Sequence, residues 1–206
     1  MCIRDSIFGV NRGSITYTAG SLITTGQGLR VNSCSIVGFG SGGISLPFLY
    51  VNSTLTSFAG AAITLTDTVP LSVNQMFFDG FTGNVTFAFA GNIGFIAANL
   101  TFQQAGGTQT GLGLANNVTY TVTNSFIFRA QTSLNPSNGM SSLNGSTPVA
   151  FFILSPGASQ DVFGMAGRFI NSAAGQTIWT RKGLLVTTTN WNLWTYPRTR
   201  FSSFTS

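Results

Sequence analysis

Asp5, Asp67, Asp79 and Asp161 are the whole acidic complement of this 206-residue chain, which holds no glutamate and no histidine. Paired carboxylates for acid and base work, a histidine-based triad and a His or carboxylate metal site all draw on residue types that are nearly missing here. Cys2 and Cys34 have no motif spacing, so no disulfide is expected. No residue is therefore assigned a catalytic, cofactor-binding or metal-binding role, and the chain is not expected to be an enzyme. Chemistry is left to flat aromatic surfaces. Trp179, Trp191 and Trp194 can form a platform on which sugar rings stack, although the commoner role of such tryptophans is the core of a small module.

Charge is scarce: 6% of residues are Asp, Glu, Lys or Arg, where a typical domain has about a quarter. The net charge of +5 comes from Lys and Arg spread over the whole length against missing acids. Only Arg181, Lys182, Arg198 and Arg200 gather locally, which is too few for a nucleic-acid face, and no nucleic-acid partner is expected. With 43% hydrophobic residues and 19 Phe, disorder is excluded. Residues 80 to 128 carry no charge, yet a spanning helix needs about 20 predominantly apolar residues. Asn84, Asn92, Asn99, Gln103 and Gln104 interrupt that stretch. Phe81 to Phe89 alternates with period two, which is a strand pattern, so no membrane insertion is expected.

The elements that must position these residues announce themselves as a repeat. Val10-Asn11, Val31-Asn32, Val51-Asn52, Val73-Asn74, Ala98-Asn99 and Thr123-Asn124 each precede an apolar run, at Asn spacings of 21, 20, 22, 25 and 25 residues. Glycine follows seven to nine positions later in five of the six units, at Gly20, Gly40, Gly60, Gly83 and Gly106. Such units are too short for a helix, a strand and their loops. They fit one coil of a parallel β-helix, in which short strands joined by turns stack at about 4.8 Å. Asn11, Asn32, Asn52, Asn74, Asn99 and Asn124 are then expected to form a ladder. A primary amide offers donors and an acceptor to identical neighbours, and Asn tolerates the backbone of a sharp turn.

This pattern resembles the right-handed parallel β-helix superfamily that includes pectate lyases and bacteriophage tailspikes. The resemblance covers residues 7–132 and implies about six coils. Enzymes of that superfamily place Asp clusters, or an Arg or Lys base, on an exposed face. Here Asp67 and Asp79 lie twelve positions apart, in different parts of a coil, and read as turn-capping residues. Residues 133–148 have linker composition. Residues 149–206 are expected to form a small β-meander, with strands near Arg168–Asn171, Thr177–Arg181 and around Trp191 and Trp194. Gly167, Asn171, Gly175, Trp179, Arg181 and Trp191 match a module similar to those ending phage tail-fibre proteins, although Leu184-Leu185-Val186 departs from its usual small residues. Residues 1–6 resemble a leader carried by open reading frames from metagenomic assemblies, and are set apart from the fold.

The expectation is thus an all-β chain, a right-handed parallel β-helix followed by a β-meander module. It would be a structural and interaction protein of a virion appendage, a tail fibre or tailspike, in the virion or outside the cell. Its partners would be a second and third copy of itself in a homotrimer or other virion proteins, and a cell-surface glycan. The alternatives are a polysaccharide lyase or hydrolase of the same fold, and a bacterial surface adhesin.

Overall fold

The computed structural model describes residues 2–4, 8–17, 22–25, 29–38, 44–52, 57–65, 69–79, 84–103, 110–129, 139–142, 149–181 and 184–194. Its strands are β1 (Cys2–Arg4), β2 (Phe8–Tyr17), β3 (Leu22–Thr25), β4 (Leu29–Gly38), β5 (Ile44–Asn52), β6 (Ser57–Leu65), β7 (Leu71–Asp79), β8 (Asn84–Gly91) and β9 (Phe95–Gln103). They continue as β10 (Thr110–Leu114), β11 (Thr119–Arg129), β12 (Gly139–Ser142), β13 (Ala150–Leu154), β14 (Ser159–Phe163), β15 (Ala166–Asn171), β16 (Ile178–Arg181), β17 (Leu184–Thr189) and β18 (Trp191–Leu193). Among the described residues there is no helix, and hence none long and apolar enough to cross a membrane.

Every pairing among the described strands is parallel, and the sheet curls round an axis. Three ladders account for the pairings. The first runs through the opening halves of β2 and β4, the closing halves of β5, β7, β9 and β11, and then β14, β16 and β18. The second runs through β1, β3, the opening halves of β5, β7, β9 and β11, then β13 and the ends of β15 and β17. The third takes the closing halves of β2 and β4, then β6, β8, β10, β12 and the starts of β15 and β17. Parallel strands cannot be joined by tight hairpins, so the chain must travel round before it pairs again.

The sequence bends β7 and β9 by a slip in their alternation. In β9, Phe95 and Ala97 point inward, and so do Leu100 and Phe102, with Ala98 and Asn99 between them. β7 does the same with Leu71 and Val73, then Met76 and Phe78. A strict period of two would keep one flat face. The extra residue instead carries the strand from the second ladder to the first, and both halves keep their apolar side inward. The inward residues of all three ladders form one core. Phe102 lies over Phe128 with ring centres 4.7 Å apart and an interplanar angle of 4°, and Phe89, Phe95 and Tyr120 meet at 4.9 to 5.9 Å. Aromatic pairs at such spacing add about 0.5–1.5 kcal/mol each beyond the area they bury.

The C-terminal region departs from the expected meander. β15, β16 and β18 are not antiparallel neighbours: β16 pairs in parallel with β14 and β18, while β15 pairs with β12, β13 and β17. The turn after Asn171 explains this. Asn171 Oδ1 accepts from the Ala173 amide at 2.9 Å, and the Gln176 amide donates to the Leu154 carbonyl of the level beneath at 2.8 Å. The chain is therefore held against the preceding level and rounds a corner rather than reversing. Gly139–Ser142, inside the stretch expected as linker, forms β12 between β10 and β15. Cys2–Arg4, inside the expected leader, pairs with Ile23–Thr25.

Candidate functional site

The six asparagines fall at two bends rather than one. Asn11 pairs with Asn32, and Asn32 with Asn52, at the end of the first ladder. Asp79, not Asn74, then stands opposite Asn52. Asn74, Asn99 and Asn124 belong instead to the bend where strands enter the first ladder. There the Asn124 Nδ2 donates to the Asn99 Oδ1 at 2.7 Å, and the Asn99 Nδ2 donates to the Asn74 carbonyl at 3.3 Å. The side chains of Asn11, Asn32 and Asn52 lie outside the described residues. So do Gly20, Gly40, Gly83, Gly106, Asp5, Asp67, Lys182, Arg198 and Arg200.

The three tryptophans separate by position. Trp191 is 6% exposed, and its indole Nε1 donates to the Ser172 Oγ at 2.8 Å. It is core, and the hydrogen bond satisfies its one polar group. Trp179 and Trp194 are 40% and 52% exposed and meet edge to face, with ring centres 6.1 Å apart at 74°. Alternation produces this split. Ile178 and Thr180 point into the core, so Trp179 between them points out. Trp191 pairs with Ile178 and shares its inward side. Trp194 follows β18, with its amide on the Thr180 carbonyl at 2.9 Å.

The outward residues of the first ladder stack into a face beneath that pair. Ile127 pairs with Asp161 and Arg129 with Phe163, and Phe163 pairs with Arg181 on the next level. Asp161 Oδ2 accepts from the Arg129 Nε at 3.1 Å and Nη2 at 2.8 Å, and Asp161 Oδ1 accepts from the Arg181 Nη2. The guanidinium of Arg181 lies 5.9 Å from the centre of the Phe163 ring, in cation–π range. Gln160, Asp161, Val162, Trp179, Arg181 and Trp194 line a cavity of about 320 Å³, open to solvent. Gln160 frames its floor: its Nε2 donates to the Thr177 carbonyl at 3.0 Å, and its Oε1 accepts from the Trp179 amide at 2.8 Å.

The Arg129 hydrogen bond, then those and the charge of Arg181, hold the Asp161 carboxyl below its ordinary range, and desolvation only partly opposes them. Asp161 is thus a fixed anion and cannot serve as a general acid near neutral pH. Among the described residues no cluster of His, Cys, Asp or Glu could hold a metal ion. What the arrangement offers is two flat aromatic faces inclined at 74°, two partly exposed guanidiniums and a hydrogen-bonded floor. Nothing local in the sequence marks Asp161 as a member, because its partners lie 32 and 20 residues away along the chain.

No known protein family, curated protein or solved structure matches the chain.

Proposed function

We propose that the chain is a right-handed parallel β-helix shaft from a virion appendage, a tail fibre or tailspike, that contacts a cell-surface glycan through Trp179 and Trp194. The supporting observation is that these two tryptophans are turned outward over a solvent-open cavity, while the neighbouring Trp191 supplies the core. A partly exposed indole on a rigid sheet is well placed to stack on a sugar, since little conformational freedom is lost on binding. Stacked parallel levels make the support stiff, because each level is fixed by those above and below. The ends of such a stack leave strand edges open, which favours a homotrimer or docking on other virion proteins. Its setting would be the virion or the cell exterior.

Immobilised bacterial surface polysaccharides test this reading. The parent chain is expected to bind at least one of them, and Trp194→Ala to weaken that binding by roughly tenfold or more, as for a central aromatic contact. Equal binding by parent and Trp194→Ala, or binding to none, would overturn it. Light scattering is expected to give the mass of three chains, and a monodisperse monomer would remove the trimer.

A further inference from the structure

Resting on the reading that Trp179 and Trp194 meet a glycan, we infer that the group they grip is a choline phosphate carried on it. The trimethylammonium sits in the corner between the indoles, and the phosphate falls on the Arg181 side. The angle between the rings is the first argument. Two coplanar indoles make a platform for flat sugar rings, but these are inclined at 74° with centres 6.1 Å apart, and both line one cavity. A sugar lying flat on one ring meets the other end-on. A trimethylammonium is nearly spherical, so it touches both rings at once, and its charge is drawn to the electron-rich indole, the best aromatic partner for a cation. It has no N–H, whereas a primary ammonium would leave three donors unsatisfied against apolar rings. The cavity, at about 320 Å³, is small among ligand sites, which suits a substituent better than a run of sugars.

Asp161 and Arg181 decide what the cation must bring with it. Both line the same cavity as the indoles. The register that pairs Val162 with Thr180 sets Asp161 one level from Trp179, and alternation along β16 turns Arg181 to the same outward side as Trp179. The hydrogen bonds from Arg129 and Arg181 keep Asp161 ionised, so a cation in the corner meets a carboxylate as well as guanidinium. A bare cation is drawn by the first and repelled by the second. An anion joined to it by a short linker turns that repulsion into attraction, because it falls toward Arg181 when the cation is on the indoles. This attraction acts through charge, whatever other bonds Arg181 makes, and the Arg181 side chain is 41% exposed. Residues two apart on a strand are separated by about 6.6 Å, a span that the two-carbon linker of a choline ester and its phosphate cover.

The test titrates the full chain with phosphocholine, with choline, and with 3,3-dimethylbutyl phosphate, which keeps the shape of phosphocholine and removes its positive charge. Binding is read from the indole N–H resonances of Trp179 and Trp194, with the buried Trp191 as internal reference. Phosphocholine is expected to move both exposed indoles and to bind roughly tenfold more tightly than the uncharged isostere. Choline alone is expected to bind more weakly than phosphocholine, and Arg181→Gln to remove that difference. Dextran bearing phosphocholine is expected to retain the chain; retention by phosphatidylcholine vesicles but not by this dextran would overturn the glycan as carrier. Equal binding of phosphocholine and its isostere would overturn recognition of the cation. Movement of the indoles with an unsubstituted polysaccharide but not with phosphocholine would overturn it too, and leave the glycan reading standing. No movement with any probe, polysaccharides included, would overturn both. The comparison with the isostere uses only the parent chain, so it decides the question even if Arg181→Gln fails to fold.

Discussion

Tyr120 offers a perturbation whose sign changes with pH. Its ring is fully buried among Phe89 and Phe95, and its hydroxyl donates to the Phe89 carbonyl at 3.3 Å. The Ala115 amide donates both to that hydroxyl and to the Phe89 carbonyl, each at 2.9 Å. Removing the hydroxyl in Tyr120→Phe therefore orphans neither backbone group, because Ala115 and Phe89 keep each other. The loss near neutral pH is one net hydrogen bond, about 1 kcal/mol, or roughly 2–4 °C in melting temperature for a chain of this length. At alkaline pH the balance reverses. Burial pushes the Tyr120 phenol from 10.0 up to about 12. Between those values the unfolded chain has lost the proton and the folded chain has kept it. Stability from this group is thus complete below pH 10 and falls as pH rises toward 12, by roughly 2–3 kcal/mol. The phenylalanine variant has no such proton, so its stability relative to the parent must rise over that range. Urea unfolding followed by tryptophan fluorescence, run on both proteins from pH 7 to pH 12, should show the parent more stable at the start and the variant more stable at the end. Parallel curves with no crossing would show that the hydroxyl meets solvent and would refute the packing described for this corner.

Gly139 and Thr187 each test a local feature of the backbone. A methyl group at residue 139 would stand 1.8 Å from the Ala166 carbonyl oxygen, so Gly139→Ala must push β12 off β15 and should cost about 3 kcal/mol or more by thermal unfolding. Were residues 133–148 a free linker, the same change would be neutral. Thr187 has a φ of 50°, and Phe169, beside it on the neighbouring level, has a φ of 54°. A β-branched residue is strained there, whereas Asn tolerates it. Thr187→Asn, at an exposed position, should raise stability by about 1 kcal/mol in the same assay, and a loss would count against the bend.

Much of the architecture is legible in the chain because its causes are local. Alternation of apolar and polar residues, the lack of any helical period and the recurrence of Asn near bends all follow from the residue types themselves. The structure shows an all-β, parallel, curled sheet in keeping with them. What the sequence hides is register. Val51-Asn52 and Val73-Asn74 look alike, yet Asn52 closes a strand and Asn74 sits in the middle of one. An amide suits either bend, so the motif does not say which bend it occupies. The C-terminal strands misled for a related reason. Short aromatic strands separated by Gly-containing turns have the same appearance whether the turn reverses the chain or takes it round a corner. Contacts across levels, such as the Gln176 amide on the Leu154 carbonyl and the parallel pairing of β16 with β14 and β18, decide the matter. At the site, the tryptophans are visible as residue types, but their division into one buried and two exposed rings depends on the phase of β16 and β18. Asp161 is a lone carboxylate in the sequence, and becomes the link between two arginines only when three levels are stacked.

Amide-to-amide contacts in solution would test that stacking most directly. In a uniformly labelled sample, through-space transfer should connect Phe126 with the Leu100 strand, and the Ile178–Arg181 strand with both Val162–Phe163 and Trp191–Leu193, all in parallel register. Cross-peaks instead joining Ile178–Arg181 to Ala166–Asn171 in antiparallel order would restore the meander, dissolve the Asp161 cluster and contradict the account at its base.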